Sequence, residues 1–447
     1  MNIDFLIDVF IENKQCDAIF WNDKRYTYDN LLDYIGNWDD VLKCNNVAEG
    51  EVVILEADFS PNSIALFLSL IKQNCIIVPL TKSVGKKKDE YISIAQGQRI
   101  ITIDSFDNVH FEKLFSSADH ELYLTLKNRR SPGLILFSSG STGKNKAVLH
   151  NLNELLEKFR LKKKKLRTMT FLLYDHIGGV NTMLYVLSNG GCIVTCSQRD
   201  PENVLRIIEA QKVELLPTSP TFLNLILISE AYKKYDLKSL KTITYGTEPM
   251  PEITLKRIHE LFPDINLQQT YGLSELGILR SKSKSSNSLW VKIGGEGFEI
   301  RIAGGLLEIK ARSAMLGYLN APSPFTDDDW FMTGDQVEVD GEYIKILGRK
   351  SDIINVGGEK VYPAEVESVI MELTDIAEVS VYGEKNPITG QIVCAKVRAN
   401  HEVTKIELVK LIKLHCSKKL QAYKVPVRIT LSTDKQYSER FKKQKTI

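Results

Sequence analysis

Leu136-Phe137-Ser138-Ser139-Gly140-Ser141-Thr142-Gly143-Lys144-Asn145-Lys146-Ala147 is the most constraining stretch of this chain. The apolar run Leu134 to Phe137 leads straight into small hydroxyl residues and glycines, and lysines follow. Glycines let the backbone curl so that successive N–H groups face one concavity, and such a concavity binds anions. Hydroxyls add donors, and a lysine adds charge suited to a polyphosphate. A strand entering such a loop is a candidate phosphate cradle, although the same composition also suits a plain surface turn. Gly140 to Gly143 is too short a spacing for the G-x-x-x-x-G-K-[ST] loop.

Further motifs lie downstream: Tyr271-Gly272-Leu273-Ser274-Glu275, then Phe331-Met332-Thr333-Gly334-Asp335, then Gly348-Arg349-Lys350-Ser351-Asp352. In this order the set resembles the adenylate-forming (AMP-binding) superfamily of acyl- and aryl-CoA ligases, adenylation domains of peptide synthetases, and luciferases. The resemblance runs over nearly the whole chain.

At 447 residues the chain exceeds the roughly 250–300 at which single cores stop growing, so more than one domain is expected. A net charge of +2 is too small to suggest nucleic acid or a membrane surface as the main partner. The seven cysteines contain no C-x-x-C pair, and even Cys192 and Cys196 read as small buried hydrophobes of a reduced chain. Met1 to Phe5 lacks the basic and apolar regions of a secretory leader. The apolar run Ile64 to Ile71 is far shorter than the ~20 residues of a membrane span. A cytoplasmic enzyme is the expectation. Lys162 to Lys165 reads as a solvated helix face, or alternatively as a contact for the phosphates of a thiol donor.

Short β-branched runs alternate with helical patterns, implying βα units in mainly parallel sheets. Strands are expected at Glu51 to Leu55, Cys75 to Leu80, Met169 to Leu173, Gly191 to Thr195, Leu240 to Thr244 and Leu267 to Gln269. Helices are expected at Ser63 to Lys72, Asn151 to Phe159 and Pro201 to Gln211. From about Ser288 the pattern changes to short strands, and beyond Asp352 it becomes α+β. The expected fold is α/β: a large N-terminal domain with mainly parallel sheets plus a small β-barrel-like subdomain, and a small mobile α+β C-terminal domain. The resemblance places the N-terminal domain at residues 1–348, a hinge at 349–352 and the mobile domain at 353–447, with no room beyond Lys445 for a fused carrier domain.

The resemblance implies activation of a carboxylic acid by ATP to an acyl-adenylate, then transfer to a thiol of CoA or a phosphopantetheinyl carrier. Ser138, Ser139, Gly140, Ser141, Thr142, Gly143 and Lys146 would hold the outer phosphates. Asn145 and Ala147 depart from the family's Pro and Gly, which is expected to alter loop stiffness only. Tyr271 would stack on adenine, Ser274 would donate to the α-phosphate, and Glu275 would hold Mg²⁺. Gly246, Thr247 and Glu248 match a strand-end loop lining the adenine and acyl pockets. Asp335 would accept from the ribose hydroxyls, Arg349 would support ribose or phosphate, and Gly357 and Gly358 would line the thiol tunnel once the C-terminal domain has turned. Ser351 stands where the family usually has its hinge Asp or Lys.

The family ends in Pro-x-Thr-x-x-Gly-Lys, whose lysine bridges carboxylate and α-phosphate. Here Gln436 replaces the proline, Phe441 the glycine, and Lys442 falls on the lysine, with Lys445 at the following basic position. Arg440 and Lys443 are the alternatives, as is a plain basic tail. Tyr174-Asp175-His176-Ile177-Gly178-Gly179 lies at the acyl-pocket motif. Aligned one way, His176 gates an apolar acid as in the CoA ligases. Aligned the other way, Asp175 binds a substrate ammonium, as in amino-acid-activating enzymes. An acid–CoA ligase, a carrier-loading adenylation enzyme and a nucleotide-binding relative without catalysis therefore all stand at this point.

Overall fold

The computed structural model describes residues 2–139, 145–401, 404–438 and 440–443. Among these, two seven-stranded sheets form the bulk of the molecule. In the first, Gly133–Ser139, Ile76–Leu80, Val52–Glu56 and Arg99–Ile103 run parallel, with antiparallel strands on both flanks. The second orders Asn266–Gln269, Thr242–Tyr245, Leu215–Thr218, Arg167–Met169, Cys192–Val194 and Asp17–Trp21 in parallel, closed by the antiparallel strand Lys24–Thr27. Val53, Ile54 and Ile77 are fully buried, each such side chain contributing about 1.5–3 kcal/mol of transfer free energy. Central parallel strands are covered on both faces, which is why they read as unbroken apolar runs.

Helix boundaries follow their capping chemistry. Pro61–Lys72 starts at Ser60, whose side chain accepts from Ser63 N while the Ser63 hydroxyl accepts from Ser60 N. Pro201–Gln211 starts at Asp200 with Pro201 in its first turn. One expected strand is displaced: Met169 to Leu173 is Arg167–Met169 instead. Phe171 and Leu173 are buried, but their segment has left the sheet to lead into the next helix, Ile177–Ser188. Lys162 to Lys165 are not helical either. Lys162 pairs with Glu12 at 3.0 Å, and Lys165 donates to Asn13 Oδ1 at 2.8 Å.

The small β-subdomain is a six-stranded antiparallel sheet built around Phe331–Asp340 and Tyr343–Arg349. A 3₁₀ turn, Lys350–Asp352, follows. The C-terminal unit has a separate core in which Val366, Ile370, Leu408 and Ile412 pack against the paired strands Ile376–Asn386 and Gly390–Ala399. It sits on the larger unit through Arg257 Nη2 to the Glu372 carbonyl and Asn224 Nδ2 to the Ala377 carbonyl, each 3.0 Å.

Candidate active site

Strands of the second sheet deliver Thr218, Thr244 and Gln269, at or next to their C-terminal ends, to one side of a cavity of about 1710 Å³. Open α/β sheets hold ligands at such ends, and the volume exceeds the roughly 300–1,000 Å³ of a single small-molecule site. The antiparallel pair Gly133–Ser139 and Asn145–Asn151 brings Ser138 opposite Lys146 at the cavity wall. Ser139 extends the first strand to Asn145. Gly140, Ser141, Thr142 and Gly143 lie outside the described residues, as does Lys445.

Lys146, Tyr318 and Glu275 form a connected set that no local pattern announces. Lys146 Nζ lies 4.7 Å from the centre of the Tyr318 ring, and Tyr318 donates its hydroxyl to Glu275 Oε1 at 2.8 Å. Asn320 pins the hairpin from outside, its Oδ1 accepting from Ala147 N and its Nδ2 donating to the Asn145 carbonyl, both 2.9 Å. Asn145 is not merely a stiffness element: its Oδ1 accepts from Lys87 Nζ at 3.3 Å, and Lys87 lines the same cavity. Ser274 is held from behind by His150, whose Nε2 lies 2.5 Å from the Ser274 carbonyl. Burial pushes His150 down to about 4, so the ring is neutral at pH 7.

Tyr271 and Asp335 form a second, buried set. Both are 6% exposed, and Tyr271 donates its hydroxyl to Asp335 Oδ2 at 2.5 Å. Burial, and then the Asp335 carboxylate, hold that phenol protonated. Arg349 Nε meets Asp335 Oδ1 at 2.8 Å. Gly334 takes φ +74°, the left-handed turn that aims Asp335 inward. Gly246 is required by space: a Cβ there would meet Thr270 Oγ1 at 2.6 Å. Thr247 beside it adopts φ +75°, a strained conformation for a β-branched residue. Glu248 is engaged structurally, its Oε1 accepting from Thr221 N at 2.8 Å and its Oε2 from Lys443 N at 2.8 Å. Gly357 and Gly358 form a left-handed turn between Ile354–Val356 and Glu359–Val361 and do not line the cavity in this arrangement.

The terminal segment folds back as a tight loop on the same cavity. Tyr437 bridges Lys443, and Ser438 N donates to the Lys442 carbonyl at 2.9 Å. This loop carries Lys442 Nζ to 3.1 Å from His176 Nε2. His176 caps the helix Ile177–Ser188, its Nδ1 accepting from Gly178 N at 3.1 Å. A neutral ring accepting at Nδ1 carries its proton on Nε2. Burial, then the Lys442 and Arg440 charges, lower the His176 pKa and keep it neutral. Burial and then Arg440 push Lys442 down to about 8. At pH 7 an imidazole N–H and an ammonium thus face one another, two donors without an acceptor between them. An anion placed there would satisfy both. Asp175, 3% exposed, accepts from Thr81 Oγ1 at 3.0 Å and from Arg440 Nη2 at 2.9 Å.

These arrangements define a class of protein: an α/β fold whose cavity gathers Ser138 and Lys146 of one hairpin, the buried Asp335 carboxylate and Lys442 of the C-terminal unit around one space. The chain belongs to the AMP-binding enzyme family, whose model matches residues 12–294, while that of the AMP-binding enzyme C-terminal domain matches residues 365–440. An indoleacetate–CoA ligase of Aromatoleum aromaticum is 30% identical over 85% of this chain and 84% of its own length. A 2-succinylbenzoate–CoA ligase of Enterococcus faecalis is 25% identical over 92% of this chain and 91% of its own. The crystal structure of an anthranilate CoA ligase in complex with anthranoyl-AMP superposes with a TM-score of 0.83 at 19% identity, covering 99% of this chain and 95% of that one. The expected fold and family thus hold. No helix among the described residues is long and apolar enough to cross a membrane.

Proposed function

We propose that this protein activates an apolar carboxylic acid with ATP and transfers the acyl group to coenzyme A. The carrying observation is the facing pair of donors, Lys442 Nζ and His176 Nε2, 3.1 Å apart at the end of a nucleotide-sized cavity. A carboxylate acylates poorly because oxide would have to leave. Attack of its oxygen on the α-phosphorus of ATP, with pyrophosphate departing, converts that leaving group to AMP. The thiol sulfur then attacks the acyl carbon, AMP leaves, and the thiol proton goes to solvent. The first step depends mostly on positioning and on neutralising phosphate charge.

In this reading Lys442 bridges the carboxylate and the α-phosphate, and His176 closes the acid pocket. Ser138, Lys146 and the loop 140–144 hold the outer phosphates, and Ser274 donates to the α-phosphate. Tyr271 stacks on adenine, Asp335 takes the ribose hydroxyls, and Arg349 orients Asp335. Glu275 is suited to Mg²⁺, an ion that takes one or two carboxylates and completes its shell from phosphate and water. The described residues contain no cluster of three metal-ligating side chains that would hold an ion unaided. Magnesium would supply charge neutralisation for the outer phosphates. Gly357 and Gly358 reach the thiol path after the C-terminal unit turns about residues 349–352, with Ser351 absorbing part of the dihedral change.

Two observations favour an acid–CoA ligase over an amino-acid-activating enzyme. Both contacts of Asp175, from Arg440 and Thr81, fall on Oδ2, so a substrate ammonium would have to reach the buried Oδ1 and share a carboxylate whose charge Arg440 already offsets. The similar curated proteins named above are CoA ligases of carboxylic acids. With all seven cysteines unpaired, we place the enzyme in the reducing cytoplasm. ATP–pyrophosphate exchange against fatty, aryl and amino acids, without a thiol, tests the first step. Exchange with a fatty or aryl acid, followed by consumption of CoA, is expected. Silence across the panel while ATP still binds would overturn adenylation, and acyl transfer to a holo-carrier but not to CoA would overturn the acceptor.

A further inference from the structure

The terminal loop is held to the larger unit far more firmly than delivery of one lysine requires. Phe441 adopts φ +49°, a left-handed conformation that costs a bulky residue and suits glycine. What retains it there is visible around its ring. The rings of Phe171 and Phe222 lie 5.3 Å away by centroid, Phe222 edge-on, and Tyr437 stacks at 5.6 Å. Its carbonyl accepts from Ser219 Oγ at 2.6 Å. Phe171, Ser219 and Phe222 all belong to the larger unit, so Phe441 inserts across the boundary between units.

One residue earlier, Arg440 reaches in the other direction to Asp175, whose side chain is 2% exposed against 28% for Arg440. Asp175 immediately precedes His176, so the ion pair and the lysine contact share one backbone segment. The Lys443 amide donates to Glu248 at 2.8 Å. Lys442 is therefore flanked on both sides by attachments to the larger unit.

We propose that Arg440 and Phe441 are positioning residues that clamp the terminal loop and seat Lys442 against His176 before any substrate arrives, making release of this loop the slow event ahead of thioester formation. This rests on the adenylation chemistry proposed above. To carry the C-terminal unit away, the loop must withdraw an aromatic ring from an apolar cluster and leave Asp175 buried with only Thr81 as partner. Both are costly in a low-dielectric site.

Two kinds of measurement test it. The first needs no activity: trypsin cleavage after Lys442 and Lys443 in the unliganded protein. The clamp predicts slow cleavage of the wild type and at least about tenfold faster cleavage of Phe441→Gly and Arg440→Ala, since each loses a partly buried anchor to the larger unit. The second separates the half-reactions in single turnovers. Phe441→Gly is expected to slow pyrophosphate formation by about tenfold to a hundredfold, as misplacing a catalytic group does, and to speed the thioester step from added acyl-adenylate, an unchanged thioester rate overturning loop release as the slow event. Phe441→Tyr, which keeps the ring, should restore both. Wild-type cleavage rates in both variants would overturn the clamp, as would equal slowing of both half-reactions in variants of unchanged melting temperature. If no acid is activated, the proteolysis alone still tests the clamp.

Discussion

The two ends of the central cavity reach similar precision by opposite means. At the proposed nucleoside end, Tyr271 and Asp335 are buried, locked to one another at 2.5 Å and backed by Arg349. At the lysine end, geometry depends on a short loop of the smaller unit that holds its place only while Arg440, Phe441 and Lys443 are docked. A site within one packed body keeps its shape through every stage of a reaction. A site shared between two bodies can be assembled for one step and dismantled for the next. Substitutions at the first end should therefore act on nucleotide binding, and those at the second on turnover.

The largest effect is expected from Lys442→Ala. Removing a charged donor aimed at the reacting oxygens should lower the adenylation kcat by about 10²–10³, with the KM for ATP changed little. Thioester formation from synthetic acyl-adenylate should survive. Pyrophosphate exchange and a direct CoA assay on the same preparation check both halves, and an unchanged exchange rate would remove Lys442 from the chemistry. Asp335→Ala should do the converse. Loss of hydrogen bonds to a charged group costs about 1.5–3 kcal/mol, which is roughly a ten- to hundredfold weaker ATP affinity by titration, with a smaller change in kcat. If the fall lies mainly in kcat, the two ends are not separable in this way.

Acidity sharpens the contrast. Lys442 is held at about 8 against an ordinary 10.5, and adenylation needs its charged form. The adenylation rate should be flat below pH 8 and fall as pH rises through it, roughly tenfold per unit. Docking has the opposite slope: between about 8 and 10.5 the docked lysine binds fewer protons than the free one, so docking strengthens with rising pH in that window. Arg440 is the largest cause of the depression after burial, so Arg440→Ala should move the fall in rate to higher pH. A pH profile of exchange for both proteins reads this directly, and coincident profiles would contradict it.

Legibility in the sequence divides along the same line. Tyr271, Asp335, Arg349 and Lys442 stood out as candidates through their resemblance to the family's motifs, and the structure gathers all four around one cavity. Their supports did not stand out. His150 under Ser274, Tyr318 between Lys146 and Glu275, and Asn320 on the phosphate hairpin act through contacts more than forty residues away in sequence, which no local pattern encodes. Asp175 is open to two alignments in the sequence, and the ion pair that Arg440, 265 positions away, makes with its Oδ2 is likewise invisible there. Phe441 stood out as a replaced glycine, but the cluster awaiting it comprises ordinary core residues. In the fold, alternating βα units were plain, whereas the hairpin Asp17–Trp21 and Lys24–Thr27 went unread. Its signal was present in Asn22-Asp23, both at positive φ, the chemistry of a tight hairpin turn.

The hairpin that carries Ser138 and Lys146, proposed to hold the outer phosphates, should show the smallest effect. Like the nucleoside end it belongs to the larger unit, yet its distinctive residue, Asn145, acts through a single contact with Lys87 at 3.3 Å. Lys87 is exposed, so the tether is worth no more than an ordinary hydrogen bond, about 0.5–1.5 kcal/mol. If the tether serves to keep a second lysine beside the outer phosphates, Asn145→Ala should raise the KM for ATP a few-fold by that measure and leave kcat and melting temperature nearly unchanged. The Asn145 carbonyl still accepts from Asn320 in that variant, so the hairpin itself is retained. Lys87→Ala should reproduce the same rise, and the double variant should add little, because both remove one interaction. A normal KM in Asn145→Ala with a raised one in Lys87→Ala would show that the lysine reaches phosphate without its tether. The hairpin would then resemble the nucleoside end, preset by its strands alone.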